Sequence, residues 1–387
     1  MLLGIVGVPN SGKSTFFKSL TLADIEITNY PFTTIKPNMG VGYVTTECPC
    51  RRLGVECKPQ NSKCVNGQRH IPVKLLDVAG LVPGAHDGKG LGNQFLSDLT
   101  QASGLVHVLD MSGRTDSEGR PSQGWDPEKN VRVLEEEIDE WIKDISSKTL
   151  GKSKQIARTQ KVPIEKLLAK QLSGLGVTEE DIKAAMRKSR IEGFEWSESD
   201  IKHFSAEIRK VSKPIIVAAN KIDTPEAQKN YEMFSSREDF VPCSADSELA
   251  LREASKSGLI DYVPGNSFQV RGKLTEKQRQ ALDFIKANVI QRYGSTGVQN
   301  SINALVFKKL DMITVYPVAD INKFSDKKGN ILPDAFLVRR GTKLREFTEK
   351  VHTDLARGFI GGLDLEKKKL GADYELKDGD VVEILFK

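Results

Sequence analysis

The sequence lacks any long apolar run. Its longest ones, such as Pro214–Ala219, are far too short to span a bilayer. The first residues lack a basic segment and a cleavage site, since Leu2 to Val6 already has the pattern of a buried strand. These absences predict a cytoplasmic protein without a membrane partner. The net charge is only +5, which permits an RNA or phosphate-rich partner without establishing one.

Cysteine is scarce and unevenly placed. Of the five cysteines, four lie at Cys48, Cys50, Cys57 and Cys64, and Cys243 stands alone. This usage in a cytosolic chain argues against a disulfide framework. Four thiols within seventeen residues could make a tetrahedral zinc site. The spacing lacks the usual pair of C-x2-C knuckles, so reduced cysteines in a surface hairpin extension remain the alternative.

The strongest motif follows the first strand. The pattern G-x-x-x-x-G-K-S runs from Gly7 to Ser14, and a helix pattern begins at Phe16. The glycines let the backbone turn where a Cβ would clash, so N–H groups point inward and bind phosphate at a helix N-terminus. Lys13 is expected to reach the β- and γ-phosphates, and the Ser14 hydroxyl to ligate Mg²⁺. The predicted nucleotide-binding residues here are Pro9, Asn10, Ser11, Gly12, Lys13, Ser14 and Thr15.

Two later segments complete the predicted phosphate side. In the loop 29–38, Thr34 can place its hydroxyl on Mg²⁺ when a γ-phosphate is present. A strand then ends in D-V-A-G, where Asp77 can hold the Mg²⁺ shell and the Gly80 N–H can meet the γ-phosphate. The following loop 81–92 holds four glycines and can rearrange easily, as a phosphate-sensing segment should.

A second motif predicts which base is bound. N-K-I-D, from Asn220 to Asp223, follows a buried strand. The Asp223 carboxylate can accept from two guanine donors, and adenine presents no matching pair, so such a site can discriminate by roughly 10⁴-fold. Lys221 is expected to cover the base. A later Ser-Ala turn is expected to offer a backbone N–H to guanine O6. The predicted base side comprises Asn220, Lys221, Asp223, Ser244 and Ala245.

The remaining patterns divide the chain into two domains. A nucleotide-binding domain is predicted over 1–302, with the cysteine-containing hairpin at about 45–70 and a helical insertion at about 126–212. A polar linker is predicted over 293–303. Residues 303–387 show strands, one helix, then strands, with the first strand near Ala304–Phe307, which suggests a small α+β β-grasp module.

The helical insertion carries the basic bias of the chain. Residues 146–215 hold fifteen Lys or Arg and nine Asp or Glu. Either a solvated helical hairpin or an RNA-facing surface would explain this balance.

At this point the motifs resemble those of a known family. GVPNSGKST, NYPFTTIKPN, DVAGLVPGAHDGKGLGNQF and NKID, with LPDAFLVRRGTKLREFTEKVH and DGDVVEIL, are similar to Obg-related GTPases of the YchF-type branch, archaeal in form. The resemblance covers the chain except the cysteine-rich hairpin. It implies an α/β fold: a Ras-like P-loop G domain with a helical insertion and a ubiquitin-like TGS domain. It also implies association with ribosomes or RNA, while the nucleotide motifs themselves predict GTP and GDP as the ligands.

Three residues bear on what the resemblance implies for catalysis and base choice. Several YchF-type relatives carry glutamate where this chain has Asp223 and prefer ATP, so guanine is the better prediction here. Leu81 stands where many small G proteins carry glutamine and cannot orient water. Asn10 stands where some relatives bind K⁺, which implies a K⁺-assisted site, since a fixed cation can replace an arginine finger.

His86 is the other polar candidate for catalysis. A histidine that only hydrogen-bonds within the glycine-rich loop is the favoured alternative. The predicted catalytic residues are Lys13, Thr34, Gly80 and His86.

Three functions follow. The first is a switch that hydrolyses GTP slowly to GDP and phosphate. The second is an ATPase of the YchF type. The third is a ribosome- or RNA-binding factor whose hydrolysis is incidental.

Overall fold

The structure is a computed structural model. It describes residues 1–22, 38–80, 84, 92–160, 162–193 and 195–387, and of residues 92–93 and 152–160 it describes the backbone alone. In the described part of the chain, no helix is both long and apolar enough to cross a membrane.

The chain divides into two compact units. Unit 1 comprises Met1–Thr21, Asn38–Gly40 and Lys74–Leu305, and the described part of unit 2 comprises Leu22, Val41–Val73 and Val306–Lys387.

Unit 1 is built on a parallel sheet. Its strands pair in the order β4-β1-β5-β6-β7, and every pairing along this path is parallel. They are β1 (Leu2–Val6), β4 (Gln68–Asp77, of which the part from Lys74 onward belongs to unit 1), β5 (Gly104–Asp110), β6 (Ile215–Asn220) and β7 (Phe240–Pro242). These strands are nearly continuous apolar runs because both faces are covered, and β5 is buried along its whole length. Parallel register brings their carboxyl ends to one edge, where loops bind ligands in such sheets.

Helices surround this sheet in unit 1. They are α1 (Lys13–Thr21), α3 (Gly92–Gln101), α4 (Pro127–Gln160), α5 (Ile164–Leu172), α6 (Glu179–Ser189), α7 (Glu198–Ser212), α8 (Pro225–Glu232), α9 (Ala245–Lys256), α10 (Glu276–Ile285), α11 (Gln291–Tyr293) and α12 (Val298–Asn303). A short hairpin pairs β8 (Ile260–Tyr262) with β9 (Phe268–Val270).

The segment from α4 to α7 is helical, as predicted, and packs by its apolar stripes. Leu134, Ile138, Ile182 and Phe204 lie fully buried in one cluster. Helices α6 and α7 begin with complete capping boxes, in which a Thr or Ser side chain and an Asp carboxylate each accept a hydrogen bond from the backbone at the other residue. Arg209 on α7 donates to two carboxylates on α4, which ties the two helices together.

Unit 2 contains an independent sheet with the order β11-β10-β14-β12-β13. Its strands are β10 (Met312–Val318), β11 (Phe336–Arg339), β12 (Phe359–Leu363), β13 (Lys369–Leu370) and β14 (Asp380–Phe386). Helix α13 (Leu344–Val351) buries Leu344 and Phe347 against this sheet, and α14 (Thr353–Arg357) follows. One helix packed on a mixed sheet is the predicted α+β module.

The hairpin also belongs to unit 2 and joins β2 (Met39–Glu47), α2 (Cys50–Leu53), β3 (Lys63–Val65) and β4. It was predicted inside the nucleotide domain. Its backbone instead bonds to the C-terminal segment, where Lys58 N–H donates to the Ile331 carbonyl at 2.8 Å and Gln60 N–H to the Pro333 carbonyl at 2.6 Å. The contact division therefore differs from the predicted boundaries at this hairpin.

Two local predictions near residue 300 are wrong. The predicted polar linker contains α12, in which Val298 and Ile302 are fully buried. The predicted strand at 304–307 is part of a π-helical segment, Ala304–Lys309. A short apolar run fits a buried helix and a buried strand equally well, and here the preceding helix continues into it.

Candidate functional site

The loop after β1 has the backbone that a phosphate-binding loop requires. Asn10 and Gly12 have positive φ values of 64° and 91°. A Cβ at Gly7 would lie 2.6 Å from the Val108 carbonyl oxygen, and one at Gly12 would lie 2.3 Å from Asn220 Nδ2. Close neighbours therefore exclude a side chain at both positions, and at Gly12 the positive φ favours glycine as well.

Lys13 begins α1 and is held by the end of β4. Its Nζ lies 2.5 Å from Asp77 Oδ1 and donates to the Val78 carbonyl at 2.7 Å. The Lys13 side chain is 14% exposed and that of Asp77 is 29% exposed. The structure thus brings together the predicted phosphate-binding cation and the predicted Mg²⁺-shell carboxylate.

Asn220, at the end of β6, connects two loops. Its Nδ2 donates to the Ser11 carbonyl at 2.9 Å, and its Oδ1 accepts from the Ala245 N–H at 3.0 Å. Because Asn220 is 3% exposed, both bonds are shielded from water. The amide therefore fixes the phosphate-side loop against the Ser244–Ala245 turn, and the Ala245 N–H expected at guanine O6 already has an acceptor.

Lys221 is positioned by a carboxylate that the sequence analysis did not select. Its Nζ lies 2.8 Å from Asp110 Oδ2 and donates to the Asn10 carbonyl at 2.9 Å. Asp110 is 1% exposed and also accepts from Ser112 and Thr115. Burial alone would raise the pKa of Asp110, but the hydrogen bonds from Lys221, Ser112 and Thr115 hold it below its usual value.

Asp223 occupies a loop whose backbone is firmly held. Ile222 N–H donates to the Cys243 carbonyl at 3.1 Å, and the Thr224 N–H and hydroxyl both donate to the Lys221 carbonyl at 2.9 Å. Among the described residues, no hydrogen bond or ion pair engages the partly buried Asp223 carboxylate. A fixed loop therefore presents an acceptor-only group beside the phosphate-binding loop.

Comparison with known proteins identifies the family. Residues 2–156 match the model of the 50S ribosome-binding GTPase family, residues 218–320 that of the Obg-like GTPase YGR210-like G4 motif-containing domain, and residues 324–386 that of the TGS domain. An uncharacterized GTP-binding protein of Methanocaldococcus jannaschii is 50% identical over 99% of this chain and 98% of its own length. The chain belongs to the Obg-like, YchF-type GTP-binding proteins. Its fold is a P-loop GTPase domain with a C-terminal TGS domain, which confirms the predicted class.

Other relatives of this YchF-type protein differ in the nucleotide that their names state. The crystal structure of a GTP-binding protein from Pyrococcus horikoshii is 40% identical with full coverage of both chains, at a TM-score of 0.80. The ribosome-binding ATPase YchF of Bacillus subtilis is 28% identical over 99% of this chain and 98% of its own length. The protein is a P-loop GTPase by family. Whether it prefers guanine or adenine nucleotides has to be inferred from its own residues.

A buried layer behind the base side of this YchF-type protein was also missed. Glu248 on α9 is fully buried and accepts from Arg252 and from the Tyr262 hydroxyl, each at 2.5 Å, and from the Thr296 hydroxyl. The Thr296 carbonyl in turn accepts from the Ser244 N–H at 2.9 Å. Tyr262 and Thr296 lie 14 and 48 residues from Glu248 in the sequence, so no local motif could reveal their bonds to it.

The other predicted phosphate-side residues fall into two groups. Ser14 is exposed at the start of α1, with Thr15 beside it, and Gly80 follows the end of β4. A Cβ on Gly80 would lie 3.7 Å from Pro9, so this glycine adjoins the phosphate-binding loop. Thr34, Leu81 and His86 lie outside the described residues, and their predicted roles stay predictions.

The four clustered cysteines do converge. Their Sγ atoms all lie within 4.8 Å of one another, and all four are free thiols. Cys48 and Cys50 are buried, and Cys57 and Cys64 are partly buried. This cluster belongs to unit 2 and stands apart from the nucleotide-binding residues in the sequence.

Proposed function

We propose that this protein binds GTP and hydrolyses it to GDP and phosphate as a molecular switch. The observation that carries the choice of GTP is the Asp223 carboxylate, which has no partner among the described residues although its loop is fixed. Guanine offers it two donors, whereas adenine would leave a partly desolvated charge unpaired, a loss of about 1–3 kcal/mol or more.

The phosphate side supplies charge and orientation. P-loop GTPases of this family use Mg²⁺, which neutralises charge that develops on the phosphates. Ser14 and Asp77 fit this ion, because one offers an exposed hydroxyl and the other a carboxylate that, among the described residues, is paired with Lys13 alone. Lys13 would exchange that carboxylate for the β- and γ-phosphates. Thr34 and the Gly80 N–H would respond to the γ-phosphate.

Two further cofactors belong to the proposed function, K⁺ at Asn10 and Zn²⁺ at the cysteine cluster. Asn10 Nδ2 donates to the Gly119 carbonyl at 2.9 Å, which leaves Asn10 Oδ1 as an acceptor suited to K⁺. With Leu81 unable to orient water, we expect basal turnover to be slow and to rise when Na⁺ is replaced by K⁺ at equal ionic strength. Identical hydrolysis rates in K⁺ and in Na⁺ would show that K⁺ takes no part in catalysis. His86 or a partner would then be the remaining candidate for the catalytic group. Zn²⁺ between the four cysteines is the other such prediction.

Base choice is tested by calorimetric titration of GDP, ADP and XDP. We expect the unmodified protein to prefer GDP over ADP strongly. Asp223→Asn should weaken GDP binding by at least tenfold and shift preference toward XDP, whose C2 carbonyl accepts from the amide.

A matched control removes a carboxylate from the same neighbourhood. Asp223 and Asp246 both act electrostatically on the buried Cys243, and Asp246 is exposed on α9. Asp246→Asn should keep the preference for GDP. Equal or tighter ADP binding by the unmodified protein would refute the GTP proposal and support the ATPase alternative.

A ribosome is the proposed partner, in a cytoplasmic setting. Curated relatives are named ribosome-binding ATPases, and exposed arginines lie at the C-terminal end of α6. Arg187 and Arg190 form no side-chain ion pair among the described residues, whereas Lys183 and Lys188 are paired with glutamates. Unpaired arginines suit phosphate contacts with RNA.

Co-sedimentation with ribosomes in GTP, GDP or no nucleotide tests this partner. Arg187→Glu with Arg190→Glu should reduce binding several-fold, and an equal reversal at Lys277 and Arg279 on α10 should not. Binding that is indifferent to nucleotide would favour a ribosome-binding factor with incidental hydrolysis over a switch.

A further inference from the structure

The Sγ atoms of the four hairpin cysteines all lie within 4.8 Å of one another, and two pairs have the separation of a tetrahedral metal site. Cys48 Sγ lies 3.9 Å from Cys57 Sγ, and Cys50 Sγ lies 3.8 Å from Cys64 Sγ. Four thiolates around Zn²⁺ at the usual Zn–S length of about 2.3 Å are about 3.8 Å apart, whereas a disulfide requires about 2.05 Å. We propose that Cys48, Cys50, Cys57 and Cys64 hold one structural Zn²⁺ that fastens the hairpin to the C-terminal segment.

The backbone brings the ligands together from three different elements. Cys48 follows β2, and its N–H donates to the Gly67 carbonyl of the hairpin turn at 2.9 Å. Cys50 begins α2, which ends at Gly54 in a left-handed conformation, so the chain reverses toward Cys57. Cys64 lies on β3. Independent reduced cysteines on a surface extension would not require this convergence.

A buried cation, Arg69, lies beside the cluster without an ion-pair partner among the described residues. Arg69 is fully buried and lies opposite Cys64 in the β3–β4 pairing. Its guanidinium donates to the Ser62 hydroxyl at 3.0 Å and the Leu332 carbonyl at 2.9 Å, and lies 5.2 Å from the Tyr316 ring centroid. All these partners are neutral, and no carboxylate lies within ion-pair distance of Arg69 in the described part of the chain.

The electrostatic balance favours a metal-bound state. A buried charge without a counter-charge costs several kcal/mol. Zn²⁺ with four thiolates carries a net charge of −2, so the site would add negative charge beside Arg69, whose interaction with the Asp334 carboxylate acts beyond ion-pair distance. Four neutral thiols would not.

The expected role of the zinc is structural, because the residues that follow Cys57 bond to the C-terminal segment. The next residues bond to segment 331–335 through the Lys58 and Gln60 N–H groups. The Asn61 side chain completes the connection, since it donates to the Ala335 carbonyl at 3.1 Å and accepts from the Ala335 N–H at 2.9 Å. Zn²⁺ would hold residues 57–61 in place for these bonds, and its loss would release them.

Metal analysis of the intact protein, purified with a thiol reductant and without chelator, tests the proposal. We expect one zinc per chain. Cys57→Ser and Cys64→Ser should each lower zinc content at least tenfold, and Cys243→Ala should retain it. A protein that neither contains zinc nor takes it up from added Zn²⁺, or that contains stoichiometric iron instead, would overturn the zinc assignment.

Two measurements on the unmodified sequence keep the test decisive if the serine variants fail to fold. Titration with a mercurial should release one zinc as four thiols react, and immediate reaction of all four thiols without zinc release would count against the site. Zinc removal should accelerate hydrogen exchange in 331–335 and leave GDP affinity unchanged. Unchanged exchange there would refute the fastening role.

Discussion

Replacing Asp110 with asparagine tests whether this buried carboxylate positions Lys221. Asp110 Oδ1 accepts from the Ser112 N–H and hydroxyl, and Oδ2 accepts from Thr115 and Lys221 at 2.6 and 2.8 Å. Asparagine keeps one of the two oxygens. Its NH₂ would replace the other, so a donor would face the Lys221 ammonium and the Thr115 hydroxyl.

The size of the effect depends on how far water can compensate. Removing one member of a buried ion pair costs about 3–5 kcal/mol when the remaining charge stays buried. The Lys221 side chain is 28% exposed and can recover part of its hydration, so the lower range for a charged hydrogen bond applies. We expect Asp110→Asn to lower the free energy of unfolding by about 2–3 kcal/mol and to weaken GDP binding about tenfold.

Urea unfolding and calorimetric GDP titration measure the two effects. Asp116→Asn is the matched control. In the part of the chain that the structure describes, the Asp116 carboxylate accepts only from backbone N–H groups of its exposed loop, and an amide oxygen can replace that acceptor. Its cost should stay below about 0.5 kcal/mol. If Asp110→Asn matches the unmodified protein in both assays, Asp110 does not position Lys221.

The pH dependence gives an independent check. The pKa of Asp110 is lowered in the folded state, so its contribution is present above the unfolded pKa of about 4. That contribution is lost as the pH falls through the lower folded pKa. The free energy of unfolding of the Asp110→Asn variant should therefore fall less at low pH than that of the unmodified protein.

Three further predictions concern other described residues. Lys13→Ala should abolish useful GTP binding in a filter assay and change the free energy of unfolding by only about 1 kcal/mol, because the Lys13–Asp77 pair is partly exposed; normal GTP affinity would contradict the P-loop assignment. Burial lowers the pKa of His107 to about 4, so stability should fall by roughly 3 kcal/mol as the pH drops from about 6.5 to 4, and His107→Leu should lack that decline in urea titrations. Gly297→Ala should destabilise by about 2–4 kcal/mol, because its Cβ would lie 1.8 Å from the Pro242 carbonyl. Gly294→Ala has the same φ of 79° with no atom within 4 Å and should cost only about 1–2 kcal/mol; equal costs would show that strain alone decides.

Sequence predicted those parts of the site that depend on local geometry. Gly7 and Gly12 were expected from the turn, and the structure adds the neighbours that exclude a Cβ. The Asp223 loop was recognisable because its residues are consecutive. Asp110 and Glu248 were not, because their roles depend on Lys221 and Thr296, more than forty residues away in the sequence.

The errors in the fold have a similar cause. Residues Ala304–Phe307 form an apolar run whose period cannot distinguish a strand from a buried helix. The hairpin falls in a different contact unit from the predicted domain because its backbone and side chains bond to residues 331–335, and the sequence does not show which distant segment these groups meet.

The pair between Lys13 and Asp77 has a consequence for how nucleotide and metal enter. Each group now neutralises the other across 2.5 Å. A phosphate that binds Lys13 would leave the Asp77 carboxylate without its counter-charge. A Mg²⁺ ion that binds Asp77 would leave the Lys13 ammonium without its counter-charge. Either ligand alone leaves one charge uncompensated, and the two together leave none. By thermodynamic reciprocity, each ligand should then raise the affinity for the other by the same factor, so we expect the ion pair to favour nucleotide that arrives together with its metal ion.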